Sequence, residues 1–105
     1  MDKNISELIE TTDACMLYIG GAHCSVCKTL YPKLIDSFEK EFPKMLKIRI
    51  EMEDEKEFVA SLQVFTIPTI IVYFEGKEFF RKSRNLSVEA FVEEVKRPYH
   101  LFIES

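Results

Sequence analysis

Two thiols three residues apart, Cys24 and Cys27, are the residues of this chain best placed to do chemistry. An apolar run, Cys15 to Ile19, comes just before them and a helical pattern just after, so the order reads strand, turn, then two thiols at a helix start. A thiolate, not a thiol, attacks a disulfide. A helix N-terminus favours the thiolate through its partial positive charge and free backbone N–H groups. Cys24 takes the first-turn position, at the exposed tip of the loop, and Cys27 lies one turn in and more shielded. The expected chemistry is thiol–disulfide exchange, with Cys24 attacking to form a mixed disulfide and Cys27 resolving it. On a helix, this spacing lets the two sulfurs meet after modest adjustment. His23 either adds positive charge beside Cys24 or fills space in an exposed loop; the sequence leaves both readings open.

A competing reading of the pair is half a zinc site. Zinc wants four ligands, commonly two such pairs. Only Cys15, His23 and His100 remain here, Cys15 falls in a strand that reads as buried, and no second CxxC exists. No metal or cofactor is therefore expected within one chain, although a metal or cluster bridging two subunits stays open. Three cysteines are an odd number, unlike a disulfide-stapled secreted domain. Cys15 reads as a small core hydrophobe rather than a third redox centre.

The rest of the chain must position these thiols. At 105 residues it reads as a single domain, 1–105, long enough to bury roughly 60–70% of its unfolded surface without a staple. Nine Phe and four Tyr supply a core, and three Gly with four Pro argue against disorder. The net charge of −4, without a basic stripe, argues against nucleic acid and an anionic membrane as partners. With no leader-like segment and no apolar run of membrane length, the expected location is the cytoplasm.

Ile5 to Glu10 predicts a short helix capped by Asn4, with Ile5, Leu8 and Ile9 on one apolar face. Ala14 to Ile19 reads as a central buried strand ending at Gly20-Gly21. Leu30, Leu34, Phe38 and Phe42 recur at helical spacing, with Pro32 inside the helix and Pro43 stopping it. Met45 to Met52 alternates as a strand with one polar face. Asp54 then caps a helix over Glu55 to Leu62. Ile70–Phe74 and Glu78–Lys82 form a hairpin about Glu75-Gly76-Lys77, with Phe79 and Phe80 read as packing residues. Ser87 caps a last helix that Pro98 ends, and an apolar tail, Tyr99 to Ser105, docks on the body or on a partner. The strand–helix–strand unit demands a right-handed parallel crossover. The fold class is therefore α/β: a mixed four- or five-stranded sheet flanked by helices on both faces.

These residues resemble the thioredoxin family over nearly the whole chain. The resemblance rests on the Cys24-Ser25-Val26-Cys27-Lys28 motif opening a helix, Pro32 five residues beyond it, Ile67-Pro68-Thr69 before an apolar strand, and Gly76 in the hairpin turn. It implies a thioredoxin-like fold and a protein-disulfide oxidoreductase active in cell redox homeostasis. It also implies a cis Ile67–Pro68 bond lying against the cysteines, although Pro68 also reads as a strand-start proline. On this view the backbone around Thr66, Ile67 and Pro68, with His23, receives an extended substrate segment by strand addition. The partners implied are protein disulfide substrates and a dithiol reductant such as a thioredoxin reductase, with the chain a monomer or weak dimer. The alternative is a binding or adaptor module on the same fold with weak redox chemistry.

Six positions depart from the family. Ser25-Val26 replaces the usual Gly-Pro. Tyr18 stands where a buried Asp usually aids proton transfer from the second cysteine, so resolution must call on a water or another carboxylate. His23 and Gly20 replace two Trp residues, and Arg84 replaces a Gly near the substrate. Matched spacing places Tyr18 and Arg49 opposite each other on neighbouring strands.

Overall fold

A computed structural model describes residues 2–104, with side chains from Ile5 onward. The elements run α1 (Asp2–Thr11), β1 (Ala14–Gly20), α2 (Ser25–Glu41), β2 (Leu46–Glu51), α3 (Lys56–Ser61), β3 (Thr69–Phe74), β4 (Lys77–Lys82) and α4 (Val88–Phe102). The strands form one four-stranded sheet in the order β2-β1-β3-β4. Strand β1 pairs parallel with β2 and antiparallel with β3, and β3 pairs antiparallel with β4.

The two central strands are buried along their whole length, because helices cover both faces. Met16 and Tyr18 of β1 and Ile70 and Val72 of β3 pack under α2 and α4, against Leu34, Phe38, Phe91 and Val95. The alternate residues Cys15, Leu17, Ile19 and Ile71 pack under α1 and α3, against Ile9, Phe58 and Val59. The period-two alternation of the strands thus splits the apolar residues into two cores. The edge strand β2 buries only Ile50 fully and leaves Arg49 partly exposed.

Four local expectations are corrected. Helix α1 begins by Asp2, so Asn4 lies inside it rather than at its cap; the Asn4 side chain is outside the described residues. Leu8 is 46% exposed, so only Ile9 of its apolar face is buried. Asp54 does not cap α3, because its N–H closes a turn to the Glu51 carbonyl at 3.0 Å and leaves Glu55 at the cap position. Pro98 does not end α4, which continues to Phe102. Packing outweighs the missing hydrogen bond there. The Tyr99 hydroxyl accepts the Lys44 N–H at 3.0 Å, and the Phe102 ring stacks on Phe74 with centroids 5.6 Å apart. The end of the chain thereby docks on the body as far as Ile103, while Leu101 stays exposed; Ser105 is outside the described residues.

Other signals match the observed chain. Ser87 Oγ accepts the Ala90 N–H at 3.3 Å and caps α4. The hairpin turn places Glu75 at φ 53° and Gly76 at φ 80°, the left-handed pair that a two-residue hairpin turn requires. Helix α2 carries Pro32 within it and ends at Glu41, with Phe42 as its C-cap just before Pro43.

Candidate active site

The site lies where β1 runs out. Gly20 and Gly21 end the strand, the loop passes through Ala22 and His23, and α2 starts at Ser25 with Cys24 as its N-cap. Cys24 and Cys27 are joined by a disulfide with Cα atoms 5.4 Å apart, inside the ordinary disulfide range. The Cys27 N–H donates to the Cys24 sulfur at 3.3 Å, so this sulfur takes one of the free donors of the first helical turn. The sequence reading placed Cys24 at an exposed tip. It is instead 9% exposed and Cys27 4%, because the Cys24 sulfur is folded over the helix end. Cys24 remains the more accessible of the two.

The predicted neighbours fall in different places. His23 and Thr66 are exposed, Ile67 is half-buried and Pro68 buried. The Ile67–Pro68 peptide bond is cis. Ile67 packs against the apolar cluster that holds both cysteines and Val26. A Cβ on Gly21 would run into the Ile67 side chain, so this glycine lets the two loops close on each other. The Thr69 hydroxyl donates to the Thr66 carbonyl at 2.8 Å. Arg84 is exposed in the turn between β4 and α4. Cys15 lies in the other core, and its burial pushes the thiol up to about 12. It is free and apart from the redox pair.

Beneath Cys27 lies a group the sequence showed only in part. Tyr18 and Arg49 are register partners, and the guanidinium carbon sits 5.4 Å from the Tyr18 ring centre. The same guanidinium lies 4.6 Å from the Tyr31 ring, which meets Tyr18 edge-on at 4.7 Å. Arg49 Nε donates to Glu51 Oε2 at 2.8 Å. Glu51 was missed, although it follows Arg49 at the two-residue spacing that puts both on one face of a strand. Tyr18 is wholly buried, and its hydroxyl finds no hydrogen-bond partner among the described residues. Burial pushes Tyr18 up to about 12, with Glu51 adding to the rise and Arg49 opposing it. Glu53 was also missed: its carboxylate accepts the Ala22 N–H at 3.2 Å and ties the loop to the turn after β2.

A cleft of about 240 Å³ opens onto this arrangement, lined by Gly21, Ala22, Cys24, Cys27, Lys28, Arg49 and Glu51. Among the described residues no three His, Cys, Asp or Glu side chains come together to hold a metal, and no helix is long and apolar enough to cross a membrane.

A four-stranded mixed sheet covered on both faces, with a dithiol/disulfide pair at the N-terminus of the helix after its central strand, defines a thiol–disulfide oxidoreductase of thioredoxin-like fold. Comparison with known proteins agrees. The family model for thioredoxin matches residues 2–97, and the chain belongs to the thioredoxin family. The thioredoxin-like protein YdfQ of Bacillus subtilis (strain 168) is 28% identical over 99 residues, covering 94% of this chain and 88% of that protein. Among solved structures, thioredoxin 1 of Thermosipho africanus superposes with a TM-score of 0.73 at 29% identity, over 83% of this chain and 96% of that one. Oxidised thioredoxin of Plasmodium falciparum superposes at 0.77 with 17% identity, over 90% and 91% of the two chains, which speaks to the fold alone.

Proposed function

We propose that this chain is one domain that reduces or exchanges disulfides in other proteins, with Cys24 as the attacking thiol and Cys27 as the resolving thiol. One observation carries the reading: the pair sits at the α2 N-terminus with Cys24 the more accessible sulfur and Cys27 buried behind it. In the reduced protein, the helix-end donors that now face the Cys24 sulfur favour its thiolate. Attack forms a Cys24–substrate disulfide. Cys27 then attacks the Cys24 sulfur, closes the internal disulfide and releases the substrate thiol.

Ile67 supports the substrate role given to Thr66, Ile67 and Pro68. Its backbone N–H and C=O take no hydrogen bond from the described residues, and its side chain lies against the cysteine loop. An extended peptide can pair with this backbone as an added strand. His23 then flanks the approach to Cys24. A dithiol reductant such as a thioredoxin reductase restores the pair, and a reducing compartment, the cytoplasm, suits it, with the chain a monomer or weak dimer.

Insulin reduction in the presence of dithiothreitol tests this. Cys24→Ser should fall to the dithiothreitol background, and Cys27→Ser should accumulate mixed disulfides with substrate. Wild-type turnover by Cys24→Ser would overturn the assignment. Tyr18 in place of an acid favours a second reading, a binding module with slow exchange. Background activity in the unmutated protein, together with stable partner capture, would select it.

A further inference from the structure

Cys27 must lose a proton to resolve a mixed disulfide, yet the residue is 4% exposed and packed in an apolar cluster. The groups around it narrow the choice of acceptor. From its own helix come Lys28, a cation, and Tyr31; from β1 comes Tyr18; from β2 come Arg49 and Glu51. The preceding loop adds His23, exposed, and the turn after β2 adds Glu53, whose two oxygens are engaged by the Ala22 N–H. Tyr18 is held protonated by burial up to about 12 and cannot serve near neutrality. Glu51 lines the cleft with Cys27 and is held by Arg49.

Gly20 brings the parts together. A Cβ at Gly20 would lie 3.3 Å from the Cys27 sulfur, 3.3 Å from Arg49 Nη2 and 3.2 Å from the Tyr18 ring. The sulfur and the guanidinium are therefore within two such lengths of each other, across a residue that carries no side chain. The Tyr18 and Tyr31 rings hold the guanidinium in place from the protein side.

We infer that Arg49 and Glu51 together drive the resolving step, Arg49 as the electrostatic partner of the Cys27 sulfur and Glu51 as the acceptor of its proton. This rests on the exchange reading above. The Cys27 thiol gives its proton to the Glu51 carboxylate, through a water for which the cleft has space. The Cys27 thiolate attacks the Cys24 sulfur, the Cys24–Cys27 bond forms and the Cys24–substrate bond breaks. The substrate leaves as a thiolate and takes a proton back from Glu51. Two electrons pass from the dithiol to the substrate disulfide, and no further reactant is needed. The guanidinium faces the charge on Cys27 throughout, at a distance where one unit charge still matters in a partly screened cleft.

Dithiodipyridine, a neutral chromogenic disulfide, separates the two steps. Attack by Cys24 releases one thiopyridone and resolution by Cys27 releases a second. The second phase, followed by stopped flow against pH, should slow about tenfold in Glu51→Gln at neutral pH and lose the part of its pH dependence that Glu51 carries. Glu51→Asp should restore most of the rate. Arg49→Gln should slow the same phase by about three- to tenfold, and Arg49→Lys should recover part of it. The first phase is the internal reference: each variant's effect is read as the change in the ratio of the second-phase rate to the first. Because Arg49 also packs on two rings, circular dichroism checks each variant, and Glu51→Gln carries the test if Arg49→Gln is unfolded. A second phase unchanged in rate and pH profile in Glu51→Gln would overturn the inference. A missing second phase in the unmutated protein would overturn the exchange reading itself.

Discussion

Replacing Tyr18 by Phe should make the protein more stable. The hydroxyl is wholly buried and has no hydrogen-bond partner among the described residues. A buried polar group left unpaired costs about 1–3 kcal/mol, and its removal recovers most of that. The ring keeps its work: the edge contact with Tyr31 at 4.7 Å and the face offered to Arg49 at 5.4 Å both survive in Phe. A gain of about 1 kcal/mol is expected at pH 7, or roughly 4 °C in Tm for a domain of this size. The gain should grow in alkali. In the unfolded chain Tyr18 ionises near pH 10, whereas burial holds it up to about 12 in the fold. Its protonated form therefore contributes stability below pH 10 that is lost as pH rises towards 12, while Phe has nothing to lose. Urea denaturation at pH 7, 9 and 11, with the m-value checked for constancy, measures both effects. Resolution of a mixed disulfide should stay within twofold of wild type, because the hydroxyl is not the proton acceptor. A Tyr18→Phe variant less stable than wild type by about 1 kcal/mol or more at pH 7 would refute the reasoning, since it would mean the hydroxyl has a partner.

The remaining predictions concern the opposite core and the C-terminal helix. Burial pushes Cys15, like Tyr73, up to about 12. Iodoacetamide at pH 8 should then label reduced Cys24 first in the native protein, Cys27 more slowly, and leave Cys15 untouched until denaturant is added; mass spectrometry reads this, and prompt native labelling of Cys15 would contradict it. The same raised groups predict a urea midpoint that falls from about pH 9 towards 12, with Cys15→Ala delaying the onset. Phe102→Ala should lower stability by about 1.5–3 kcal/mol, less than a fully buried Phe would, because the ring is 39% exposed while meeting Phe74 and Phe79. A loss under about 0.5 kcal/mol by thermal unfolding would show that Phe102 does not hold α4 beyond Pro98.

Legibility followed the range of the interaction. The buried run of β1, the helical repeat of α2, the Ser87 cap and the hairpin turn are set by residues close together in the chain, and each could be read there. The errors arose where a distant contact decides. Pro98 is a sound stop signal for an isolated helix, and only the packing of Tyr99 and Phe102 on the body carries α4 past it. Asp54 is a sound cap until the turn from Glu51 claims its backbone. In the site, the two cysteines and Ile67-Pro68 carry motifs, whereas Glu51 and Glu53 are ordinary acidic residues in a strand and a turn. Their meaning depends on register: Gly20 lies opposite Glu51, and Tyr18 opposite Arg49. A spacing argument reached the second pair and stopped short of the carboxylate two residues on.

The placement of that carboxylate has a physical logic. A charged acid at position 18 would sit in a fully buried strand, where removal from water costs several kcal/mol unless it is paired. Glu51 is on an edge strand with its side chain 31% exposed and hydrogen-bonded to Arg49, whose own side chain is 34% exposed. Most of the desolvation cost is avoided, and tyrosine fills the vacated interior with apolar area at the smaller cost of one unpaired hydroxyl. What is given up is isolation. A proton acceptor in an open cleft shares its environment with solvent, salt and whatever substrate lies over it, whereas one sealed in the core does not. On the reading that Glu51 accepts the Cys27 proton, the step that releases substrate is linked to the solvent-open surface around the thiols, through a cleft lined by Cys24, Cys27, Arg49 and Glu51.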